Sequence, residues 1–389
     1  MKTKRFFTIL SLLVAAIFAT FAGGSTEVTT TSSTTKTTTT VTSSASGIMN
    51  ADDEFSSRDM EQTADLSDAT YLKLESGEDI TITAAGVYVI SGSAKESTII
   101  VEAGDEDKVQ LVLDGVTITN TSTPCIYVKN ADKVFVTTTD STNKLTVSGT
   151  FAADGDTNTD AVIFSKDDLV LNGVGTLTIS STDNGITSKD DLKITGGTIS
   201  ISCTSDAIEA NDSIRIAGGD ITIKSKKDGL HAEYDEDTSV GYIYICGGTL
   251  NITASDDAIH ATTIVQIDDG TLNLSAREGI EGTYVQINGG TITISASDDA
   301  INAGQKSKSY TATIEITGGY ITIKMGSGDT DAVDSNGNLY VNGGTLDITA
   351  NSPFDYDGTA KYTGGTIIVN GQTVNTITNQ MMGGAGGFG

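Results

Sequence analysis

GGTITISASDDAINA, residues 289–303, decides how this chain folds. Near-copies stand upstream: GGTLNITASDDAIHA at 247–261, GGDITIKSKKDGLHA at 218–232, GGTISISCTSDAIEA at 196–210 and VGTLTISSTDNGITS at 174–188. DDGTLNLSAREGIEG at 268–282 is a worn copy, and GGYITIKMGSGDTDAVDS at 318–335 a stretched one. The period is about 21 to 24 residues, with two longer gaps. A fixed period of this length marks a solenoid, in which each repeat contacts only its neighbours. Within the repeat, Ile292 and Ile294 alternate with Thr291, Thr293 and Ser295, a period of two with one buried face. Asp299–Ala303 makes a second short strand, and Val285 with Ile287, or Ile314 with Ile316, a third. The Gly-Gly pair closes the coil, because a tight corner needs positive φ or a missing side chain. Beyond the first 21 residues no stretch of useful length carries a helical apolar stripe. The pattern predicts an all-β chain folded as a right-handed parallel β-helix of about ten coils. The hexapeptide period of left-handed coils is absent.

The 389 residues include 43 glycines and two prolines, with a net charge of −28 and a pI of about 4.1. Lys2, Lys4 and Arg5 precede the apolar run Phe6–Phe21, which predicts a signal peptide over residues 1–22. The mature protein is therefore expected to be secreted, extracellular or associated with the cell surface, without a membrane span. Residues 23–69 read as a Ser/Thr-rich linker and disordered region, 70–371 as the β-helix, and 372–389 as a Gly-rich disordered tail. The acidic charge argues against nucleic acid as a partner. Cys125, Cys203 and Cys246 are expected as buried thiols. With His231 and His260 as the only histidines, a His-centred zinc site or a Ser-His-Asp triad is not expected. Extra residues at 231–241 and 302–310 predict loops that leave the helix and wall a cleft.

SKDDL at 165–169 and again at 188–192, the GG-T-I-x-I repeats, the DAI and DGL corners and the Gly/Met tail together carry a family likeness. Over roughly residues 70–389 the chain resembles the secreted clostridial carbohydrate-binding domain family. That resemblance implies a polysaccharide-lyase-like fold and calcium-dependent binding of cellulose and acidic sugars such as polygalacturonate.

Stacking the repeats aligns Asp160, Asn184, Asp206, Asp228, Asp257, Glu278, Asp299 and Asp331 in one column. Carboxylates on adjacent coils, about 4.8 Å apart, repel by roughly 3 kcal/mol at an effective dielectric near 20. Such a ladder recruits cations, and Ca²⁺ with its six to eight oxygen ligands suits it. Asx residues at sharp corners also serve simply to bond nearby amides. The doubled or loop-adjacent acids Asp206, Asp228, Asp256, Asp257, Asp298 and Asp299 are the candidate metal ligands, followed by Asp235, Glu236 and Asp237. Three residues further on runs a second outward column, Thr187, Glu209, His231, His260, Glu281, Asn302, Asp334 and Asp355. Hydrogen-bonding groups at coil spacing can follow a sugar chain, so Glu209, His231, His260, Glu281 and Asn302 are candidate sugar contacts. On the third strand, Lys193 and Arg215 beside Tyr244 offer two cations and a ring for a uronate.

The first strand presents Thr-x-Thr rows, for example Thr291 with Thr293, which resemble faces that bind ice or crystalline polymers. No tryptophan is available as a platform for cellulose. A calcium-dependent lyase would need a Lys or Arg base, for which Lys226, Lys227 and Arg277 are candidates. No motif demands catalysis, and binding of plant cell-wall polysaccharide is the expected role. Lyase activity and adhesion through the Thr face remain the alternatives.

Overall fold

The computed structural model describes residues 47–326 and 330–380. The expected signal peptide at 1–22, residues 23–46 of the expected linker and residues 381–389 of the tail lie outside that range. The repeats stack as parallel, in-register strands. Ile292, for instance, pairs with Leu272 on one side and Ile321 on the other. Identical apolar positions thus pile into continuous Ile, Leu and Val stacks, and Ile292, Ile321 and Leu272 are fully buried. Each fully buried aliphatic side chain contributes about 1.5–3 kcal/mol.

The strands make one 22-stranded and one 12-stranded sheet. The larger combines two faces of the coil, because strands such as Tyr242–Thr253 and Ile264–Ala276 run unbroken through the glycine corner. That corner is demanding. Gly290 sits at φ +84°, and a Cβ on Gly289 would lie 2.0 Å from the carbonyl oxygen of Asp268 one coil below. The 12-stranded sheet holds the second short strand of each repeat, Asp257–Ala261 and Ile301–Ala303 among them. Its strand number exceeds the ten or so coils expected, because Ile80–Ile82 and Ile99–Glu102 also join it as parallel strands. Among the described residues no helix is long and apolar enough to cross a membrane. Cys125 and Cys203 are buried and Cys246 half-buried, all three as free thiols.

Both ends depart from the expected disorder. Residues 47–62 form a strap across the outer surface of the third-strand face. The Met49 amide donates to Gln266 Oε1 at 2.8 Å, and Gln266 Nε2 donates back to the Met49 carbonyl at 2.8 Å. Glu54 accepts from Tyr242 at 2.9 Å and pairs with Arg215 at 3.1 Å. Phe55 packs on Tyr244 with ring centroids 6.3 Å apart, and Arg58 lies over Phe135. Asp59 is fully buried, 3.1 Å from Lys193 Nζ. Gln62 Oε1 accepts from the Gly173 amide at 3.0 Å. From Ile48, whose amide donates to Gln286 Oε1 at 3.2 Å, to Arg58 over Phe135, the partners step down the chain, so the strap runs against the order of the coils. The Thr/Ser bias that suggested a linker ends before residue 47, and the anchors Phe55 and Asp59 follow it. At the other end, Gln372–Val374 pairs antiparallel with Thr366–Val369, and Val374 and Ile377 pack against the last core layer. Residues 372–380 therefore close the open end of the stack.

The strap overturns the expected sugar-binding role of Lys193, Arg215 and Tyr244. Lys193 donates to the Glu54 carbonyl and to Asp59, Arg215 is held between Glu54 and Asp191, and Tyr244 donates to Asp268 under Phe55. These outward side chains are the strap's receptors. Asp59→Ala would leave the buried Lys193 ammonium without its carboxylate partner, a change that costs about 3–5 kcal/mol. Denaturant unfolding should show that loss, and limited proteolysis should cut within residues 47–66. Burial pushes the Asp59 carboxyl up, but the Ser56 amide and the Lys193 and Lys133 ammoniums outweigh it, holding it below its ordinary 3.8. A depressed acid contributes stability above its unfolded value that is lost as pH falls through the folded one. The strap is accordingly expected to loosen only below about pH 4.

Candidate functional site

Each repeat of the form Asp-(Ala/Gly)-Ile-X turns a corner and presents X on the next strand. The second position must be small, since a Cβ on Gly229 would lie 2.6 Å from the Ala258 carbonyl oxygen. The third is core. The corner acid and X then face the same way. Strand pairing puts Thr187, Glu209, His231, His260, Glu281, Asn302, Asp334 and Asp355 in one row of the 12-stranded sheet, at the positions the repeats predict. The five candidate sugar contacts in that row, Glu209 to Asn302, are therefore brought together as a line along the solenoid.

The corner column is a hydrogen-bonded ladder. The amide of Asp206 donates to Asn184 Oδ1, that of Asp228 to Asp206 Oδ1 at 2.8 Å, and that of Asp257 to Asp228 Oδ1 at 2.9 Å. Asp299 receives the Asp331 amide at 3.1 Å in the same way. One carboxylate oxygen of Asp206, Asp228 and Asp299 is thus committed to the next coil. The six expected metal ligands do not converge on a point. Asp256 and Asp298 instead flank Arg277, which also reaches Glu278 and Asp257. Burial disfavours the Arg277 charge, but Asp256, Glu278 and Asp257 more than offset it and raise its pKa. A guanidinium held this way is not available as a base. Lys227 remains largely exposed, 3.9 Å from Asp206 Oδ2.

Around the centre of the row, eight carboxylates (Asp206, Asp228, Glu233, Asp256, Asp257, Glu278, Glu281, Asp298) meet Lys227, Arg277, Lys306 and two imidazoles. The His231 and His260 rings lie 4.8 Å apart. His260 Nδ1 is 2.9 Å from Asp257 Oδ2 and 3.0 Å from Glu281 Oε2, and His231 Nδ1 is 3.3 Å from Asp228 Oδ2. Both Nε2 atoms approach one oxygen, Glu233 Oε2, at 3.2 and 3.3 Å. Burial works against the charge on both rings, but the surrounding carboxylates prevail and push His231 up to about 9 and His260 up to about 11. Glu233, lowered by the same rings, was not foreseen. Its signal is its place near the start of the insertion HAEYDEDTSVG at 231–241.

The insertion builds one wall of a recess of about 440 Å³ lined by Lys189, Glu209, His231, Glu233, Tyr234 and Glu236. A second recess of about 400 Å³ continues past His260, Arg277, Glu281 and Lys306. Asp235, also expected near a metal, lines the first recess and not a three-acid cluster. At the neighbouring edge the two SKDDL motifs bring Asp168, Asp190 and Asp191 within 4.8 Å of one another. Burial, and then Asp168, Asp191, Asp212 and Asp167, raise Asp190 to about 7. The Thr rows also fall in register, Thr176 with Thr198 and Thr178 with Ser200, on a separate face.

A family model described as "carbohydrate-binding domain-containing protein" matches residues 76–331 and 278–382. A carbohydrate-binding domain-containing protein of Acetivibrio thermocellus is 39% identical over 126 residues, 31% of this chain and 44% of the relative. The chain thus matches less than half of that relative's length. A solved structure, the polysaccharide lyase-like protein from C. thermocellum in a gadolinium derivative, is 32% identical. It covers 61% of this chain and 96% of its own, with a TM-score of 0.49.

The ladder separates two roles for its acids. Asp228→Asn keeps Oδ1 for the Asp257 amide, whereas Asp228→Ala orphans that buried donor, a change that costs about 1–3 kcal/mol. Urea unfolding should therefore find the alanine variant clearly less stable than the asparagine variant. Equal loss in both would assign the stabilising role to the negative charge.

Proposed function

The chain belongs to the carbohydrate-binding domain family, and we propose that it is a secreted, non-catalytic binder of acidic plant cell-wall polysaccharide. The observation that carries this reading is the row from Glu209 to Asn302, which repeats polar groups at the coil spacing of about 4.8 Å between loop walls. A sugar chain lying along it meets a hydrogen-bonding partner at every coil. Lys189, Lys227 and Lys306 stand where a uronate carboxylate could pair directly. The solenoid is taken to wind right-handed, the hand of parallel crossover connections.

Calcium is the proposed bridge between two acidic partners. The fit is poor at the corner column, whose oxygens serve amides and whose centre offers imidazole nitrogen. The all-oxygen set Asp168, Asp190 and Asp191 fits a hard cation better. Asp191 is shared with Arg215 and Asp168 with Lys133, while Asp190 has no cation within ion-pair distance among the described residues. There the ion would neutralise a repulsive cluster beside the groove and offer open positions to a uronate carboxylate.

Depletion of the protein by insoluble polygalacturonate should require calcium and be reversed by a chelator, and Asp190→Asn should abolish the calcium dependence. Retention that ignores the chelator would refute the bridge. Appearance of unsaturated uronate products, lost in Lys227→Ala, would establish the lyase alternative instead. The pH dependence has a defined sign. Asp190 and Asp299, both raised to about 7 by burial and like charges, bind protons more tightly when folded. Each such group makes the metal-free protein less stable as pH rises from about 4 to 7. Calcium should therefore raise the melting temperature more at pH 7.5 than at pH 5.

A further inference from the structure

We propose that His231, His260 and Glu233 form a binding site for a divalent transition metal of the zinc class, distinct from any calcium site. Three features of the geometry carry it. First, His231 and His260 occupy one register position on adjacent coils, so the backbone fixes their rings side by side. Secondly, His260 Nδ1 is hydrogen-bonded at 2.9 Å to Asp257, the acid three residues before it, while His231 Nδ1 lies 3.3 Å from the equivalent acid Asp228 without a hydrogen bond among the described residues. A carboxylate taking the far N–H is the usual partner of a metal-bound imidazole: it fixes the tautomer and turns the Nε2 lone pair outward. Thirdly, both Nε2 atoms converge on Glu233 Oε2, at 3.2 and 3.3 Å.

With Nδ1 protonated, that convergence sets three acceptors against one another, an arrangement that needs either extra protons or one metal ion at its centre. His260 is only 9% exposed, and its Nε2 is buried without a hydrogen-bond partner among the described residues. The separations also match. Tetrahedral coordination with bonds of about 2.0 Å has ligand–ligand edges of about 3.3 Å. All three ligand atoms lie within 4.8 Å of one another. Two imidazoles and one carboxylate select zinc-like ions over calcium, which prefers oxygen. Glu233 and His231 also line the recess, so a water molecule can take the fourth position. On binding, the metal displaces the proton between His231 Nε2 and Glu233 and any proton on His260 Nε2, and these leave to solvent.

The test is a titration of the full metal-stripped protein with Co²⁺, followed by competition with Zn²⁺ and then with excess Ca²⁺. The expected result is one Co²⁺ per chain with a visible spectrum of low coordination number, displaced by Zn²⁺ and untouched by millimolar Ca²⁺. His231→Ala and His260→Ala should lose the spectrum, and Glu233→Gln should weaken binding by at least about tenfold. Glu233 begins a half-exposed loop, so its variant reports on the site even where a histidine variant unfolds. A wild-type protein with no saturable spectrum would overturn the proposal, as would an unchanged one in a folded His231→Ala/His260→Ala double variant. Neither outcome depends on polysaccharide, so the result is separable from the glycan-binding reading.

Discussion

Everything in this molecule follows from parallel, in-register stacking at a fixed coil spacing. A parallel ladder places like residues directly above one another, so whatever one repeat carries becomes a column. For isoleucine this is favourable, and the columns become the core. For aspartate it would be repulsive. The protein resolves part of the repulsion locally, by turning one oxygen of a corner acid onto the amide of the next coil, as Asp206 does for Asp228 and Asp228 for Asp257. The other oxygen is left to face the groove, where cations and imidazoles answer it.

That division explains which parts of the structure were legible in the sequence. The row Glu209, His231, His260, Glu281, Asn302 could be read directly, because a period of one coil maps onto a register with no further information. The core could be read for the same reason. The strap could not. Residues 47–62 carry no repeat, and their anchors Phe55 and Asp59 acquire meaning only against Lys193, Arg215 and Tyr244, which lie more than a hundred residues away. Glu233 was hidden for a similar reason: it is the first residue of the loop after the strand Leu230–Ala232, and only the folded loop returns its carboxylate to the two rings. A count of two histidines says nothing of their placement, and only the strand register puts His231 and His260 side by side on adjacent coils.

The strap and the groove divide the outer surface between them. The third-strand face is covered by the chain's own N-terminal segment, and its basic residues are neutralised by Glu54, Asp59 and Asp191. The second-strand face is left open between the 233–241 loop and the side chain of Lys306, with a surplus of carboxylates over permanent cations. Bound cations would ease the approach of an acidic sugar to an acidic groove, which is why calcium enters the proposal beside the three lysines.

The central claim is that the glycan lies along the Glu209–Asn302 row. Its most direct test compares calcium-dependent binding to polygalacturonate for Asn302→Trp, on the groove floor, and Ser200→Trp, on the Thr-rich face. Melting temperature serves as the control for folding. Loss of binding in Asn302→Trp with Ser200→Trp unaffected is the predicted result, and the reverse pattern would contradict the account.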